Sequence, residues 1–196
     1  FSEYLDRELE RAHAGSWTIA ALSIDLNRFK EINDVHGHQA GDDALKVIGG
    51  RLAGLLQPGE FAARVGGDEF AAIKRYVDMD DLHDFVARME KALIDPVCAD
   101  GFEVVTGGSI GVALYPQDGT QASTLVSNAD LALQRAKAEA GRTVCFYEKQ
   151  MDEAARQRSA LSADLRRAIG LGELGLHYQV QHAMVTGAIT GYEVLL

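Results

Sequence analysis

Two glycines followed by two carboxylates, Gly66-Gly67-Asp68-Glu69, separate two short apolar runs, and this pattern constrains the fold most strongly. The apolar runs cover residues 61–65 and 70–73. Such runs on both sides of paired glycines predict a β-hairpin, since glycine allows positive φ and a close approach to the backbone. The turn would present carboxylates that can hold a hard cation such as Mg²⁺. A turn that is merely solvated is the alternative.

A second acidic segment lies upstream and favours the metal site over the solvated turn. Residues 17–24 form a nearly continuous apolar run, which predicts a strand buried on both faces. Asp25 comes at or near the end of this strand, where a charge is costly unless it is paired or bound to a metal.

The remaining apolar patterns predict an alternation of helices and strands. Helices are predicted over residues 2–14, 30–35, 40–56, 79–93 and 125–136. Strands are predicted over residues 17–25, 60–65, 70–75, 102–106, 109–114 and 143–147. This order predicts the fold class, an α/β (α+β) sandwich with a mixed central β-sheet flanked by helices.

The character of the chain changes at Met151. Residues 151–171 are charged and amphipathic and predict a helix. A strand over residues 174–181 follows, and then a turn and a second strand over residues 187–196. The sequence therefore predicts a C-terminal helix-strand extension.

Composition excludes some functions. With 196 residues the chain is long enough for one full domain and a remainder. Its formal net charge of -10 argues against a nucleic-acid partner bound by a broad basic surface, although a single nucleotide can still bind locally.

Cys98 and Cys145 lack metal-ligand spacing and are predicted to be small core residues. With no transmembrane run and no signal peptide, the fragment is expected to be soluble and cytoplasmic, while a membrane segment in a longer parent protein stays open.

Five separated motifs occur in order along the chain. They are Asp25-x-x-x-Phe29-Lys30-x-x-Asn33-Asp34, Gly37-His38-x-x-Gly41-Asp42-x-x-Leu45, Arg64-x-Gly66-Gly67-Asp68-Glu69-Phe70, Ser109-Ile110-Gly111-Val112-Ala113 and Ala129-Asp130-x-Ala132-Leu133-x-x-Ala136-Lys137. Together they resemble the GGDEF family of diguanylate cyclases, which make cyclic di-GMP from two GTP molecules. The resemblance covers about residues 2–148 and implies a domain at 1–148 with the nucleotide-cyclase fold, related to the ferredoxin-like palm of polymerases.

By this resemblance, the carboxylates of Asp25 and Asp68 and the backbone carbonyl of Leu26 form a site for Mg²⁺ or Mn²⁺. Asp25, Asp68 and Glu69 are the implied catalytic residues. Glu69 would lie by the metal or the ribose hydroxyl and help its deprotonation, and a plain salt bridge is the alternative. Making a 3′,5′-phosphodiester depends mainly on positioning and charge stabilisation, to which divalent ions contribute.

The resemblance also implies a GTP site that includes Gly66 and Gly67. The amides of Phe29 and Lys30 begin a helix and would face the β- and γ-phosphates, as helix N-termini commonly do. Lys137 would contact the γ-phosphate. The alternatives are that Lys30 is a surface lysine and Phe29 a core aromatic.

Guanine recognition is assigned by resemblance to Asn33 and Asp42. An amide and a carboxylate can satisfy the O6 and N1–H/N2–H₂ edge of guanine, whereas adenine lacks that donor pair. The alternative for Asn33 is a turn or cap residue, and for Asp42 an N-terminal helix residue favoured by the dipole. His38 is interpreted as structural.

Two departures from the family pattern stand out. One extra residue follows Lys137, so Arg142, an implied substrate-binding residue, is displaced by one position. Feedback-inhibited members carry Arg-x-x-Asp before the hairpin, where this chain has Gln57 and Glu60. We therefore expect no product-inhibition site.

Residues 149–196 resemble the opening of an EAL phosphodiesterase domain. Glu193-Val194-Leu195 stands where that family places Glu-Ala-Leu, and Val180 stands where it usually has proline. Such a remnant is expected to be inactive, because Glu193 alone lacks the other metal ligands. An unrelated appendage is the alternative.

Three functions follow as hypotheses. The first is an active cyclase in which two GGDEF domains, each holding one GTP, meet face to face as a homodimer upstream of an EAL domain. The second is a catalytically weak GTP-binding domain that regulates the downstream phosphodiesterase. The third is a structural signalling domain that binds no nucleotide, which Asp25 and Asp68 disfavour.

Overall fold

The computed structural model describes the backbone of residues 1–15, 17–99, 102–104, 106–139 and 141–195. Of these, the side chains of residues 98–99, 102–104, 152 and 154–160 lie outside the description. The chain divides into two compact units, Phe1–Asp152 and Glu153–Leu196. The predicted assignment of residues 149–196 to a separate domain stays a prediction.

The first unit alternates helices and strands. Its helices are α1 (Ser2–Gly15), α2 (Phe29–His36), α3 (His38–Gly54), α4 (Met79–Ile94) and α5 (Ala122–Ala138). Its strands are β1 (Thr18–Leu26), β2 (Glu60–Gly66), β3 (Glu69–Tyr76), β4 (Val97–Ala99), β5 (Phe102–Val104), β6 (Gly108–Tyr115) and β7 (Val144–Phe146). Helix α6 (Gln150–Leu171) begins at the end of this unit.

A five-stranded sheet forms the centre of this unit, in the order β2-β3-β1-β6-β7. The pairs β2–β3, β3–β1 and β1–β6 are antiparallel, whereas β6 and β7 are parallel. The sheet is therefore mixed, and with the helices packed on it the predicted α+β fold class is confirmed.

The two faces of the sheet carry separate hydrophobic cores. From Ala20 to Leu26 the even-numbered residues of β1 pack in one cluster with buried side chains of α3 and α4. Ile19 and Ala21 pack in the other cluster with buried side chains of α1 and α5. Because side chains alternate along a strand, Asp25 lies on the face that α1 and α5 cover. Each fully buried leucine or isoleucine in these cores contributes about 1.5–3 kcal/mol.

Gly111 lets α5 lie directly on β6. A Cβ at this position would come within 2.0 Å of the carbonyl oxygen of Ala129 and 2.2 Å of the amide nitrogen of Leu133. No side chain fits in that space, so the backbone of α5 contacts the backbone of β6. This close approach fixes the height of α5 above the strand end that carries Asp25.

The structure differs from the sequence expectation between α4 and β6. Strand β4, which the sequence analysis missed, pairs with β5 in a separate two-stranded sheet. The described part of β5 ends at Val104, although a strand was predicted over residues 102–106. Three residues are too few for a pattern of alternation to reveal a strand.

The two cysteines have different outcomes. Cys145 is buried and free on β7, as predicted, and burial raises the pKa of its thiol. The side chain of Cys98 lies outside the described residues, so its prediction is not assessed.

The second unit contains most of α6 and a hairpin of β8 (His177–His182) and β9 (Ile189–Leu195). The strands pair antiparallel, with His177 opposite Leu195 and Val180 opposite Tyr192. None of the described helices in either unit is long and apolar enough to cross a membrane.

Candidate active site

The end of β1 and the turn of the β2–β3 hairpin lie side by side. Asp25 stands opposite Glu69 of β3 and opposite Ser109 of β6. The backbone N–H of Leu26 donates to the carbonyl of Asp68 at 3.3 Å, which ties the turn to the strand end. The register of the sheet thus brings together two acidic segments that are separated by about forty residues of sequence.

The hairpin turn exposes its backbone. Gly67 has a φ of +38°, and its carbonyl accepts a hydrogen bond of 2.8 Å from the Arg64 guanidinium. A Cβ added at Gly66 or Gly67 would meet no atom within 4 Å. Asp68 is half-buried and Glu69 is exposed. The backbone of Gly66 and Gly67 is therefore open to solvent. A ligand can approach it directly, next to Asp68 and Glu69.

Asp25 forms an ion pair with a lysine of α5. This carboxylate is buried, with 8% of the residue exposed, and one of its oxygens lies 2.6 Å from Nζ of Lys137. Lys137 sits in the last turn of α5, the helix that packs on the same face of β1. The pairing explains how a carboxylate is tolerated at the end of a core strand.

A cavity of about 540 Å³ opens beside this ion pair, and Arg28, Lys137 and Arg142 are among its lining residues. The Arg142 guanidinium donates to Glu139 at 2.7 Å and to the carbonyl of Val144 at 3.2 Å. A hydrogen bond from Arg142, joined by one from Arg135, holds the pKa of Glu139 below its ordinary value. The displaced Arg142 thus shares the cavity with Lys137 but is already paired.

Helix α2 begins at the edge of this cavity. Arg28 precedes it with a left-handed φ of 59°, and Phe29 and Lys30 are its first two residues. Their N–H groups have no partner inside the helix, as at any helix start, and no described residue accepts from them. Lys30 is exposed, and Phe29 is partly buried against the core.

Asn33 lies at the contact between α2 and α3. A Cβ at Gly41 would come within 2.0 Å of Oδ1 of Asn33 and 3.1 Å of Cζ of Phe29, so these side chains rest on the glycine. Asp42 follows in α3 with an exposed side chain, and neither residue caps a helix through its side chain in the described structure. His38, the first residue of α3, is exposed.

Glu60 belongs to a buried ion-pair network at the opposite end of the hairpin. Its side chain is fully buried and contacts Arg88 at 2.5 Å and Lys74 at 3.0 Å. The backbone N–H of Gln57 donates to the same carboxylate at 2.8 Å, and Lys74 also pairs with Asp81 at 2.8 Å. The carboxylate of Glu60 therefore faces the protein interior and not a ligand.

Most of the chain matches a known protein family. The model of the family "Diguanylate cyclase, GGDEF domain" matches residues 1–143, which is most of the chain. The chain belongs to the GGDEF family. The matched range contains every implied site residue of this domain, including Arg142.

Two bacterial signalling proteins are similar to this GGDEF chain over nearly its whole length. An uncharacterized signaling protein from Caulobacter vibrioides is 42% identical over 96% of the chain and 24% of the relative. The cyclic di-GMP phosphodiesterase NbdA from Pseudomonas aeruginosa is 33% identical over 100% of the chain and 25% of the relative. The chain thus spans about a quarter of the length of these relatives.

A solved structure supports the fold assignment. The GGDEF domain of TpbB (YfiN) from Pseudomonas aeruginosa superposes with a TM-score of 0.75 at 34% identity. The match covers 80% of this chain and 92% of that one.

The donor set at the hairpin fits a magnesium-type ion that also uses ligand oxygens. In the described parts of the chain no group of three or more His, Cys, Asp or Glu side chains could hold a metal. Asp25 and Asp68 would offer two carboxylates and Leu26 a backbone carbonyl, from segments whose backbones are joined by the hydrogen bond between Leu26 and Asp68. Mg²⁺ is usually held by one or two carboxylates together with substrate phosphates, so two carboxylates and a carbonyl are compatible with such an ion.

Sequence reasoning missed two ion pairs, one at the site and one at the opposite end of the hairpin. The Asp25–Lys137 ion pair joins residues 112 positions apart, and the buried pairing of Glu60 with Arg88 spans 28. Lys137 was singled out through its motif, but no local pattern revealed its partner.

A larger groove of about 1210 Å³ between α1 and the start of α5 lies away from the acidic segments.

Proposed function

We propose that this GGDEF domain is a diguanylate cyclase that condenses two GTP into cyclic di-GMP and two pyrophosphates. The observation that supports this most is the hydrogen bond from the Leu26 N–H to the backbone carbonyl of Asp68, which joins the hairpin turn to the strand end that carries Asp25. Lys137 adds a cation at the same point. Carboxylates, a lysine and free helix amides together form a binding site for a metal-bound triphosphate.

Different residues of the site would bind the metal, the phosphates and the ribose. Asp25, Asp68 and the carbonyl of Leu26 would hold Mg²⁺ or Mn²⁺, which when bound stabilises the charge of the α-phosphate and of the leaving pyrophosphate. The open N–H groups at the start of α2 would bind the β- and γ-phosphates, and the bare backbone at Gly66 and Gly67 leaves room for the ribose. Glu69, exposed beside this backbone, would accept the proton of the attacking 3′-hydroxyl.

Base selection is proposed for Asn33 and Asp42. Asn33 is half-buried and held against Gly41, so its amide presents a fixed donor and acceptor. Asp42, which follows Gly41 in α3, adds an exposed carboxylate that can accept from N1–H and N2–H₂ of guanine.

One site supplies only one of the two GTP molecules. Turnover therefore requires a second GGDEF domain placed face to face, so that the 3′-hydroxyl of each nucleotide reaches the α-phosphate of the other. Because GTP is its proposed substrate, we propose that the domain works in the cytoplasm. Because Glu60 is committed to Arg88 and Lys74, we propose that product does not inhibit through this surface.

A weak GTP-binding regulatory domain is the second candidate. Its support is the pairing of Arg142 with Glu139, which leaves one phosphate-facing cation already neutralised.

We further propose that residues 149–196 open an EAL domain, with the β8–β9 hairpin as its first strands and Glu193 as one of its metal ligands. The name of the phosphodiesterase NbdA, which aligns with the whole chain, supports this assignment. Without further ligands this segment would not hydrolyse cyclic di-GMP.

Incubation with GTP and Mg²⁺, followed by chromatographic separation of the products, discriminates between the two candidates. A cyclase converts GTP into cyclic di-GMP and pyrophosphate. Tight GTP binding without either product would identify the regulatory domain, and the absence of both binding and turnover would contradict the proposed function.

A further inference from the structure

The Asp25–Lys137 ion pair lies where the proposed function requires a metal ion. The Asp25 carboxylate is buried on the α5 face of β1, and Lys137 is its ion-pair partner at 2.6 Å in the described structure. The Lys137 side chain itself is 41% exposed. A buried carboxylate is thus neutralised by a flexible cation that reaches in from solvent.

An ammonium and a divalent cation cannot share this carboxylate at low cost. Two like charges a few ångströms apart repel strongly near a protein surface. The lysine side chain has four rotatable bonds and most of its freedom on the solvent side, so it can leave the carboxylate without any movement of α5.

We propose that Lys137 takes the place of the divalent cation on Asp25 in the nucleotide-free domain and transfers to the incoming phosphates when the metal nucleotide binds. This inference rests on the proposed function and adds an order of events. The free domain binds a divalent cation weakly, because the ion alone must displace Lys137 into water. The metal–nucleotide complex binds well, because its phosphates give the displaced ammonium a new partner.

Arg142 is unsuited to the same exchange. Its guanidinium already holds Glu139 and the carbonyl of Val144. Lys137 makes no second ion pair with a described residue. Among the three cations that line the cavity, Lys137 is therefore the one whose partner and position both match the proposed metal site.

Mn²⁺ is a suitable probe because its free concentration can be followed by electron paramagnetic resonance without any turnover. The titration compares the chain with Lys137→Met, which shortens the unbranched side chain by one atom and removes its charge. Lys46→Met is the matched control, since Lys46 pairs with Asp43 at 2.7 Å on α3 and its loss changes the net charge equally. Asp25→Asn assigns the signal to this site within an acidic chain.

Without nucleotide, Lys137→Met should tighten Mn²⁺ binding about tenfold, because a nearby positive charge is gone. Lys46→Met should change it less than about twofold, since Lys46 is exposed and paired with Asp43 instead of Asp25, and exposed charges are screened. In the presence of a non-hydrolysable GTP analogue the order reverses, and Lys137→Met should weaken binding of the Mn²⁺ complex about tenfold. Lys137→Gln gives the same signs if the methionine variant does not fold.

Several results would overturn the exchange. They are unchanged Mn²⁺ affinity in both Lys137 variants, equal tightening in Lys46→Met, no loss of binding in Asp25→Asn, or no weakening with the analogue. The free-metal titration involves neither GTP nor product, so it separates this inference from the proposed function. A domain that makes cyclic di-GMP but shows no tightening would retain the function and lose the exchange.

Discussion

Asn33 is oriented by packing and not by a charge. Its side chain rests on Gly41, where any Cβ would collide with Oδ1, whereas the neighbouring Asp42 projects into solvent. Asp43, one residue further on, is committed to Lys46, which through a hydrogen bond holds the pKa of Asp43 below its ordinary value. Of the two adjacent aspartates, Asp42 is therefore the better candidate for the proposed contact with a base.

Asp42→Ala should erode the preference for GTP over ATP. We expect the unmutated domain to favour GTP by about 10²-fold, or roughly 2.7 kcal/mol, since the wrong base leaves polar groups unpaired in a partly open pocket. Phosphate binding should change less, because Asp25, Asp68 and Lys137 remain. Competition binding at fixed Mg²⁺ measures both, with Asp43→Ala as the control that should keep the preference. Equal affinity for GTP and ATP in the unmutated protein would contradict this role.

Helix α5 is the element that links the core to the cavity beside Asp25. Its backbone rests on β6 at Gly111, and its last turn carries Lys137 to Asp25. The spacing between α5 and the sheet therefore sets both the packing of the core and the reach of the lysine.

Gly111→Ala should push α5 off the sheet. The added methyl group would overlap backbone atoms that cannot rotate away, so we expect a loss of about 2–3 kcal/mol in the free energy of unfolding. Gly50→Ala is the control, because its Cβ would meet nothing within 4 Å in α3 and alanine favours a helix. Urea denaturation of the two variants measures the difference. Equal stability of Gly111→Ala and the unmutated chain would show that the helix is free to shift.

At the element scale, strong local patterns were enough to predict most of the fold. The apolar run before Asp25 predicted β1, and the paired glycines predicted the β2–β3 hairpin. The short strand β4 was not predicted, because three residues are too few to show a period in their hydrophobicity. The sequence did not predict that Lys137 pairs with Asp25 or that Arg88 pairs with Glu60. These contacts depend on how distant elements pack, which no local pattern encodes.

For the first unit as a whole, the network around Glu60 joins the hairpin to α4. Burial alone would raise the pKa of Glu60, but hydrogen bonds from Arg88, Gln57 and Lys74 outweigh it and hold the pKa below 4.5. Burial likewise opposes the charge of Lys74, yet hydrogen bonds to Asp81 and Glu60 raise its pKa above 10.5. The network is thus fully charged across the neutral range and is a structural connection between β2, β3 and α4.

This network makes stability depend on pH in a definite direction. Because the pKa of Glu60 is lowered on folding, its contribution is present above about pH 4.5 and is lost as the pH falls through the folded-state pKa. Glu60→Gln should cost about 3 kcal/mol at pH 7, since it leaves buried cations short of a partner. Thermal unfolding at pH 7 and at about pH 3 should show this cost shrinking in acid. Glu10→Gln, exposed on α1, is the control, and a cost that is the same at both pH values would contradict the assignment.

The proposed function requires that the carboxylates at the end of β1 and in the hairpin turn together hold the metal for cyclic di-GMP synthesis. The most direct test is the rate of cyclic di-GMP formation from GTP by Asp68→Ala, with Mg²⁺ as the only metal and circular dichroism to confirm the fold. Asp68 lies in a turn, so the variant should fold, and its synthesis should fall below detection, while Asp80→Ala, exposed on α4, keeps full activity. Full activity in Asp68→Ala would contradict the two-carboxylate site.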